Sequence, residues 1–211
     1  MPFRDRTDAA RRLAKALAAY KGGNPLVLAV PRGAVPMAKL IADELGGEVD
    51  VVLVRKLRAP GNPEFALGAI DETGWAYLGD YVPMTGASDA YLEDEKQEQL
   101  DTIRKRRAQY TPIRPPIDPK GRIVIVVDDG LATGSTMIAA LHCLRAKQPA
   151  KLICAVPVSP ADTLEKVARL ADDVVCLETP ANFYAVGQFY LDFPQVEDDE
   201  VVAILGAPRR G

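Results

Sequence analysis

The stretch "IVIVVDDGLATGSTM", Ile123 to Met137, decides how this chain reads. Apolar β-formers run into two adjacent acids, and a loop of small residues follows that ends in hydroxyls. A buried strand tip carries two carboxylates when it meets a ligand, because the carboxyl ends of strands in an open parallel sheet face the ligand crevice. Asp128 and Asp129 sit at such a tip, although one of them could instead cap the next helix. A vicinal diol, such as the 2′ and 3′ hydroxyls of ribose, offers two donors that carboxylates accept strongly. Behind the acids, "GLATGST" supplies Gly130, Gly134 and the hydroxyls of Thr133, Ser135 and Thr136, and leads into a helix beginning near Ser135. Backbone N–H groups at a helix N-terminus, with side chains small enough to let an anion close, form a phosphate cradle. The stretch reads as a grip for ribose 5-phosphate. Neither GxxxxGK nor GxGxxG occurs, so the rival phosphate motifs are missing.

Working outward, helix and strand patterns alternate. Leu13, Leu17 and Tyr20 fall at helical spacing, "KGGNP" stops that helix, and "PLVLAV" reads as a strand. Next come a helix over "VPMAKLIADELGG", a buried strand "VDVVLVRKL", the strand "RIVIVVDD", a helix over "GSTMIAALHCLRAKQ", the strand "KLICAVPV", a helix over "SPADTLEKVARLA" and a last core strand "DVVCLE". Near-continuous Val/Ile/Leu runs alternating with helices predict an α/β fold: a central, mostly parallel sheet flanked by helices. Two regions break the rhythm. Residues 57–87 mix Gly and Pro with two β-like runs around "DETG", which predicts a hairpin on a long excursion acting as a lid. Ser88 to Tyr110 predicts a charged helix, acids early and bases late, with Ser88 as N-cap. Its "RKRR", Arg104 to Arg107, could bind phosphate, but a solvated helix end reads better.

Composition narrows the classes. With 26 basic and 29 acidic residues the net charge is −3, which disfavours a coat for nucleic acid or anionic membrane. Cys143, Cys154 and Cys176 show no CxxC spacing and are odd in number, so they read as buried thiols of a cytoplasmic protein. The sequence shows neither a secretory signal pattern nor a run of about 18 apolar residues, so a soluble protein is expected. The 211 residues suit one domain with a small appended lobe.

"VIVVDDGLATGSTM" resembles the phosphoribosyl pyrophosphate (PRPP) signature of type I phosphoribosyltransferases, closest to the form "DDLLATGGTM" known in adenine enzymes. "AVPRGAVPMA", Ala29 to Ala38, resembles the short loop that holds the pyrophosphate, where the peptide before the basic residue is often cis; here that is Pro31–Arg32. "VRKLRAPGNPEFALGAI", from Val54, resembles the strand-end "RK" and mobile catalytic loop of the orotate and adenine enzymes. "PANFYAVGQFYLDF", Pro180 to Phe193, resembles the "FVVGYxLDY" stretch of hypoxanthine-guanine enzymes, in which an aromatic ring stacks on the purine and an acid follows. The whole arrangement is most similar to bacterial phosphoribosyltransferases of unestablished substrate.

The resemblance implies a single domain over 1–211, with a core of about 22–178, a lid of about 57–87 and a hood from 1–21 and 179–211. It implies transfer of 5-phosphoribosyl from PRPP to a nitrogen acceptor of the nucleobase class, with release of pyrophosphate. Asp128, Asp129 and Lys56 would be catalytic; Arg32, Gly33, Arg55, Gly130, Ala132, Thr133, Gly134, Ser135 and Thr136 would bind PRPP; Phe183 or Tyr184 would stack on the base, near Asp192. Mg2+ is the implied cofactor, carried on pyrophosphate oxygens, with Asp128 or Asp129 as the open candidates for direct contact. The partners implied are PRPP, a base and a second copy of the chain in a dimer, without nucleic acid or membrane. The sequence departs from the 6-oxopurine enzymes at Ala132, where they carry an Asp that approaches the imidazole ring. Glu64, by analogy with a lid acid of the adenine enzymes, is a candidate proton acceptor, although a solvated loop carboxylate reads better. His142 reads as a plain helix residue. The alternative function is a non-catalytic PRPP or nucleotide sensor on the same fold; a phosphate-binding hydrolase lacks a nucleophile or metal constellation.

Overall fold

The computed structural model describes residues 2–110 and 115–207, without the side chains of Pro63 and Glu64; the proposed role of Glu64 lies outside the described residues. Helix α1 (Arg6–Ala16) starts at Asp5, whose carboxylate accepts from the Asp8 N–H. Strand β1 (Leu26–Ala29) follows, then α2 (Ala34–Leu45), which stops where Gly46 takes a left-handed conformation, φ 69°, and donates its N–H to Ala42. Then come β2 (Glu48–Val51), β3 (Val54–Ala59), β4 (Asn62–Asp71), β5 (Ala76–Leu78) and the long α3 (Asp89–Tyr110). The remaining elements are β6 (Ile123–Val127), α4 (Ser135–Ala146), β7 (Lys151–Val158), α5 (Ala161–Ala168), β8 (Asp173–Glu178) and α6 (Asp198–Gly206). Among the described residues no helix is long and apolar enough to cross a membrane.

The main sheet has five strands in the order β2-β1-β6-β7-β8, all parallel. Alternate residues feed two cores. Val27, Ala29, Ile125, Val127, Ile153 and Ala155 pack with the apolar faces of α1, α2 and α6. Leu26, Leu28, Val124, Val126, Leu152, Cys154 and Val156 pack with Met137, Ala140, Leu141 and Leu144 of α4. Burial on both faces is why these strands read as unbroken apolar runs.

The stretch "VDVVLVRKL" is not one strand. It breaks at Val52–Leu53 into β2, on the edge of the main sheet, and β3, which opens a second sheet. The cause is polarity: Arg55, Lys56 and Arg58 lie half-buried or exposed between buried Val54, Leu57 and Ala59, a pattern that a strand covered on both faces does not tolerate. The expected hairpin around "DETG" is present as β4 and β5, but β3 pairs with β4 as well, so the excursion is a three-stranded antiparallel sheet. The β3–β4 pairing shifts register on either side of Arg58. This sheet packs between α3 and α4. Helix α4 is therefore covered on two sides, which explains its small, buried Ala139 and Ala140. Ser88 caps α3 as expected, accepting from the Tyr91 N–H at 3.2 Å.

The N-terminal segment meets the stretch that precedes α6. Phe3 and Tyr190 form a parallel bridge, with N–H donation from Phe3 to Phe189 O, from Leu191 to Phe3 O and from Asp192 to Arg4 O.

Candidate active site

Strands β1 and β6 are neighbours at the point where the chain's winding reverses: β1 continues through α2 to β2 on one side, and β6 through α4 to β7 on the other. A crevice opens there, at the carboxyl ends. The cleft has a volume of about 780 Å3. It is lined by the Val30–Gly33 loop after β1, by Val54, Arg55, Lys56 and Arg58 of β3, by Asp128 to Gly134 with Thr136, by Arg106 of α3, and by Tyr184 to Gly187 with Phe193.

Asp128 and Asp129 follow β6 directly. Asp128 accepts the Asp129 N–H at 2.8 Å. Desolvation pushes the Asp128 carboxyl well above the usual carboxylate range, the adjacent Asp129 charge adds to this, and Lys56 opposes it. The next loop is fixed by three contacts. Leu131 donates its N–H to Val158 O, Thr163 Oγ1 donates to Ala132 O at 2.8 Å, and Thr133 and Ser135 share a hydroxyl contact of 3.0 Å. Gly134, at φ +76°, has Thr163 Cγ2 2.8 Å from where a Cβ would stand, so backbone conformation and space both require glycine at the entry to α4. Gly134 supplies no side-chain cap to α4, and the Ser135 N–H donates to Thr133 Oγ1 at 3.4 Å.

The opposite wall is cationic. The Pro31–Arg32 peptide is cis, as the resemblance implies. Arg32 pairs with Glu197 at 3.1 Å and approaches Asp198 at 3.9 Å, both at the start of α6. Arg58 is matched by Glu95 and Glu98 of α3, whose hydrogen bonds hold its guanidinium above its ordinary range. Arg55 donates to the neutral Gln99, at 3.0 Å; burial, then the charges of Arg106 and Arg58, push it below its ordinary range. Among the described residues Arg55, Lys56 and Arg106 have no carboxylate at ion-pair distance, so this wall carries unbalanced positive charge opposite the acids.

These features decide the family, because a phosphoribosyl transferase domain model matches residues 4–194. The chain belongs to the phosphoribosyl transferase domain family. Two Mycobacterium tuberculosis proteins, from strains CDC 1551 and H37Rv, each named "Putative phosphoribosyl transferase", are 45% identical over 209 residues, 99% of this chain and 47% of theirs. The chain thus spans about half the length of these curated relatives. The solved structure of TT1426 from Thermus thermophilus is 48% identical, with a TM-score of 0.81 over 98% of both chains.

Within this phosphoribosyl transferase domain, the cleft gathers Arg32, Gly33, Arg55, Lys56, Asp128, Asp129, Gly130, Ala132, Thr133, Gly134 and Thr136. Ser135 is buried, and it lines a second hollow of about 420 Å3 across the Thr133–Thr136 turn. The two candidate stacking rings part company. Tyr184 lines the main cleft and is 89% exposed, whereas Phe183 packs against Phe189, 5.1 Å between centroids, and lines the second hollow. Asp192 is exposed and is absent from the cleft lining; its neighbour Phe193 lines it instead. His142 lies on α4 away from the cleft, its ring stacked on Trp75 at 3.6 Å.

Reading the sequence missed Arg58 and Arg6, and ranked Arg106 as solvated where the structure places it in the cleft wall. The "RKRR" run is only partly solvated: Arg104 and Lys105 are exposed, Arg107 pairs with Glu72 at 2.7 Å, and Arg106 enters the cleft wall. Helical spacing carried the signal, since Arg106 and Arg107 lie three and four residues after buried Ile103 and before buried Tyr110. Arg6 reaches Asp129 from 123 residues away, and no local pattern announces that.

Proposed function

We propose that this chain transfers the 5-phosphoribosyl group of PRPP to a nitrogen nucleophile of the nucleobase class, releasing pyrophosphate. The observation that carries this is the meeting, in one cleft, of an acid pair, a helix N-terminus and an unbalanced cationic wall. The 5′-phosphate would take the N–H groups of the Thr133–Thr136 turn, the ribose diol would take Asp128 and Asp129, and the pyrophosphate would lie along Arg32, Arg55 and Lys56. As the nucleophile's lone pair forms the new bond to C1, the C1–O bond breaks and its electrons leave with the pyrophosphate oxygen. Positive charge gathers on the ribose and negative charge on the leaving group, so acids below and cations beside them favour the transition state over the ground state.

Mg2+ suits this arrangement. Among the described residues no group of three or more His, Cys, Asp and Glu could hold a metal by itself, so substrate oxygens would supply most ligands, with Asp128 or Asp129 as the protein's contribution. A cation there would relieve the crowding of the two carboxyls that helps to lift Asp128. When bound, it would neutralise charge on the pyrophosphate.

Tyr184, free on one side, is the ring offered to a flat acceptor. The competing reading, a PRPP or nucleotide sensor, draws on Ala132, which places no acid where 6-oxopurine enzymes keep one. A screen of purine, pyrimidine and pyridine bases with PRPP and Mg2+, followed by pyrophosphate release, separates the two. Base-dependent release supports transfer; tight PRPP binding with no release for any base supports the sensor; no PRPP binding removes both.

A further inference from the structure

Asp129 does not stand alone at the strand end. Arg6, the first residue of α1, donates Nε at 3.0 Å and Nη2 at 2.8 Å to the same oxygen, Oδ2. The pair is largely shielded, with 12% of the Arg6 side chain and 17% of the Asp129 side chain exposed, so water screens it weakly. The arginine is itself clamped. Its Nη1 donates to Pro194 O, and its guanidinium lies over the Phe193 ring, 3.8 Å from the centroid. Asp129 is held at its backbone as well, because Tyr190 Oη donates to Asp129 O at 2.6 Å. The N-terminal and C-terminal segments, tied together through Phe3 and Tyr190, therefore converge on one carboxylate.

Gly33 completes the contact. A Cβ at this position would stand 2.2 Å from Asp129 Oδ2, 3.0 Å from Arg6 Nη2 and 3.1 Å from Arg6 Nε. Gly33 thus lacks a side chain because the Arg6–Asp129 pair fills that space, and the loop after β1 rests on the pair. Arg6 itself is not among the cleft-lining residues; it works from behind Asp129.

We propose that Arg6 is a positioning residue of the ribose subsite: it commits Asp129 Oδ2 to the protein, leaves Oδ1 outside the ion pair for a sugar hydroxyl, and so makes the two acids unlike partners. This rests on the reading of the acid pair as the ribose site. Asp128, half-buried, has no cationic hydrogen-bond partner among the described residues and accepts only the Asp129 backbone N–H. Asp129 is the member whose geometry is fixed before substrate arrives. The device also ties that geometry to the hood segment around Phe193, so that the segment bearing Tyr184 and the sugar acid share one support.

The test compares wild type, Arg6→Ala and Arg6→Lys by calorimetric titration with ribose 5-phosphate and, separately, with inorganic pyrophosphate, alongside kcat and KM for PRPP. For Arg6→Ala we expect ribose 5-phosphate affinity to fall about tenfold or more, pyrophosphate affinity to stay within about twofold, and kcat to fall with little change in acceptor KM. Arg6→Lys should recover part of the loss, since a point charge replaces the fork. A simple loosening of the fold would weaken both ligands together, and that result, or equal ribose 5-phosphate binding in all three proteins, overturns the inference. If Arg6→Ala does not fold, Arg6→Lys carries the same comparison, since it keeps the charge and stem. A wild-type protein that binds pyrophosphate but no ribose 5-phosphate removes the ribose reading and this inference with it, whereas unchanged variants on a binding wild type remove the inference alone.

Discussion

Arg58 and Glu95 meet as a two-pronged pair, Nε to Oε1 at 2.9 Å and Nη2 to Oε2 at 3.0 Å, joining β3 to α3 at the cationic wall of the cleft. The same Glu95 Oε1 accepts the Arg58 backbone N–H at 2.8 Å and Gln99 Nε2 at 3.0 Å, and Gln99 in turn accepts from Arg55. One buried carboxylate therefore orients Arg58 directly and Arg55 through Gln99.

Burial alone would raise the Glu95 pKa, but the hydrogen bonds from Arg58 outweigh it and bring it below the ordinary value. A depressed folded-state value means that the stabilisation is fully present above the unfolded pKa, about 4.3, and is lost as pH falls through the folded-state value. Glu95→Gln should cost about 2 kcal/mol at pH 7, discounted for the partial exposure of Arg58. In urea titrations at several pH values, the gap between wild type and Glu95→Gln should narrow below about pH 4. A gap that stays constant down to about pH 2.5 would show that Glu95 contributes by shape and not by charge.

Asp128 has the opposite sign. Its folded-state value lies above the unfolded one, so folding is penalised progressively as pH rises past the unfolded pKa. Asp128→Asn should accordingly raise the thermal midpoint at about pH 7 and lose that advantage near about pH 3. Activity should move the other way, with kcat/KM falling about 100-fold or more as the charge beneath the developing ribose cation disappears. A variant both less stable and fully active would show that the acid is a structural cap.

The two hood rings make separable predictions. Tyr184→Ala removes an exposed ring that lines the cleft, and should raise the acceptor KM several-fold with folding unchanged. Phe183→Ala removes a half-buried ring packed on Phe189, and should lower stability by about 1–2 kcal/mol while the acceptor KM holds. Exchanged phenotypes would return the stacking role to Phe183.

Much of this was legible in the residues, for identifiable reasons. Val124, Val126, Ile125 and Val127 are buried on both faces of a parallel sheet, which writes an unbroken apolar run, and the turn after them needs small residues where Gly134 meets Thr163. Periodicity and motif spacing report such local needs well. They fail where the deciding contact is distant. The break at Val52–Leu53 depends on β3 finding β4 and α3, and the clamp on Asp129 depends on Arg6 arriving from the other end of the domain. Phe183 and Tyr184 are adjacent in sequence, yet they line different hollows because the backbone there turns toward Val186–Phe189, a turn that no ring spacing encodes.

Arg106 offers the sharpest separation of leaving-group binding from the rest of the cleft. It belongs to α3, outside every loop that carries a phosphoribosyl motif, yet it lines the cleft and its charge lowers the Arg55 pKa. Neighbouring cations held together without carboxylates repel one another until an anion arrives, so the polyanion gains from all of them at once. Arg106→Gln should therefore weaken PRPP and pyrophosphate by about tenfold at low ionic strength, with little effect on a nucleobase. Raising KCl from about 0.05 to 0.5 M should weaken PRPP binding to wild type more steeply than to the variant, because one fewer charge is there to be screened. Stability should hold or rise slightly as the repulsion on Arg55 is relieved. Equal loss of acceptor and PRPP binding, or parallel salt dependence in the two proteins, would return Arg106 to the solvated end of its helix.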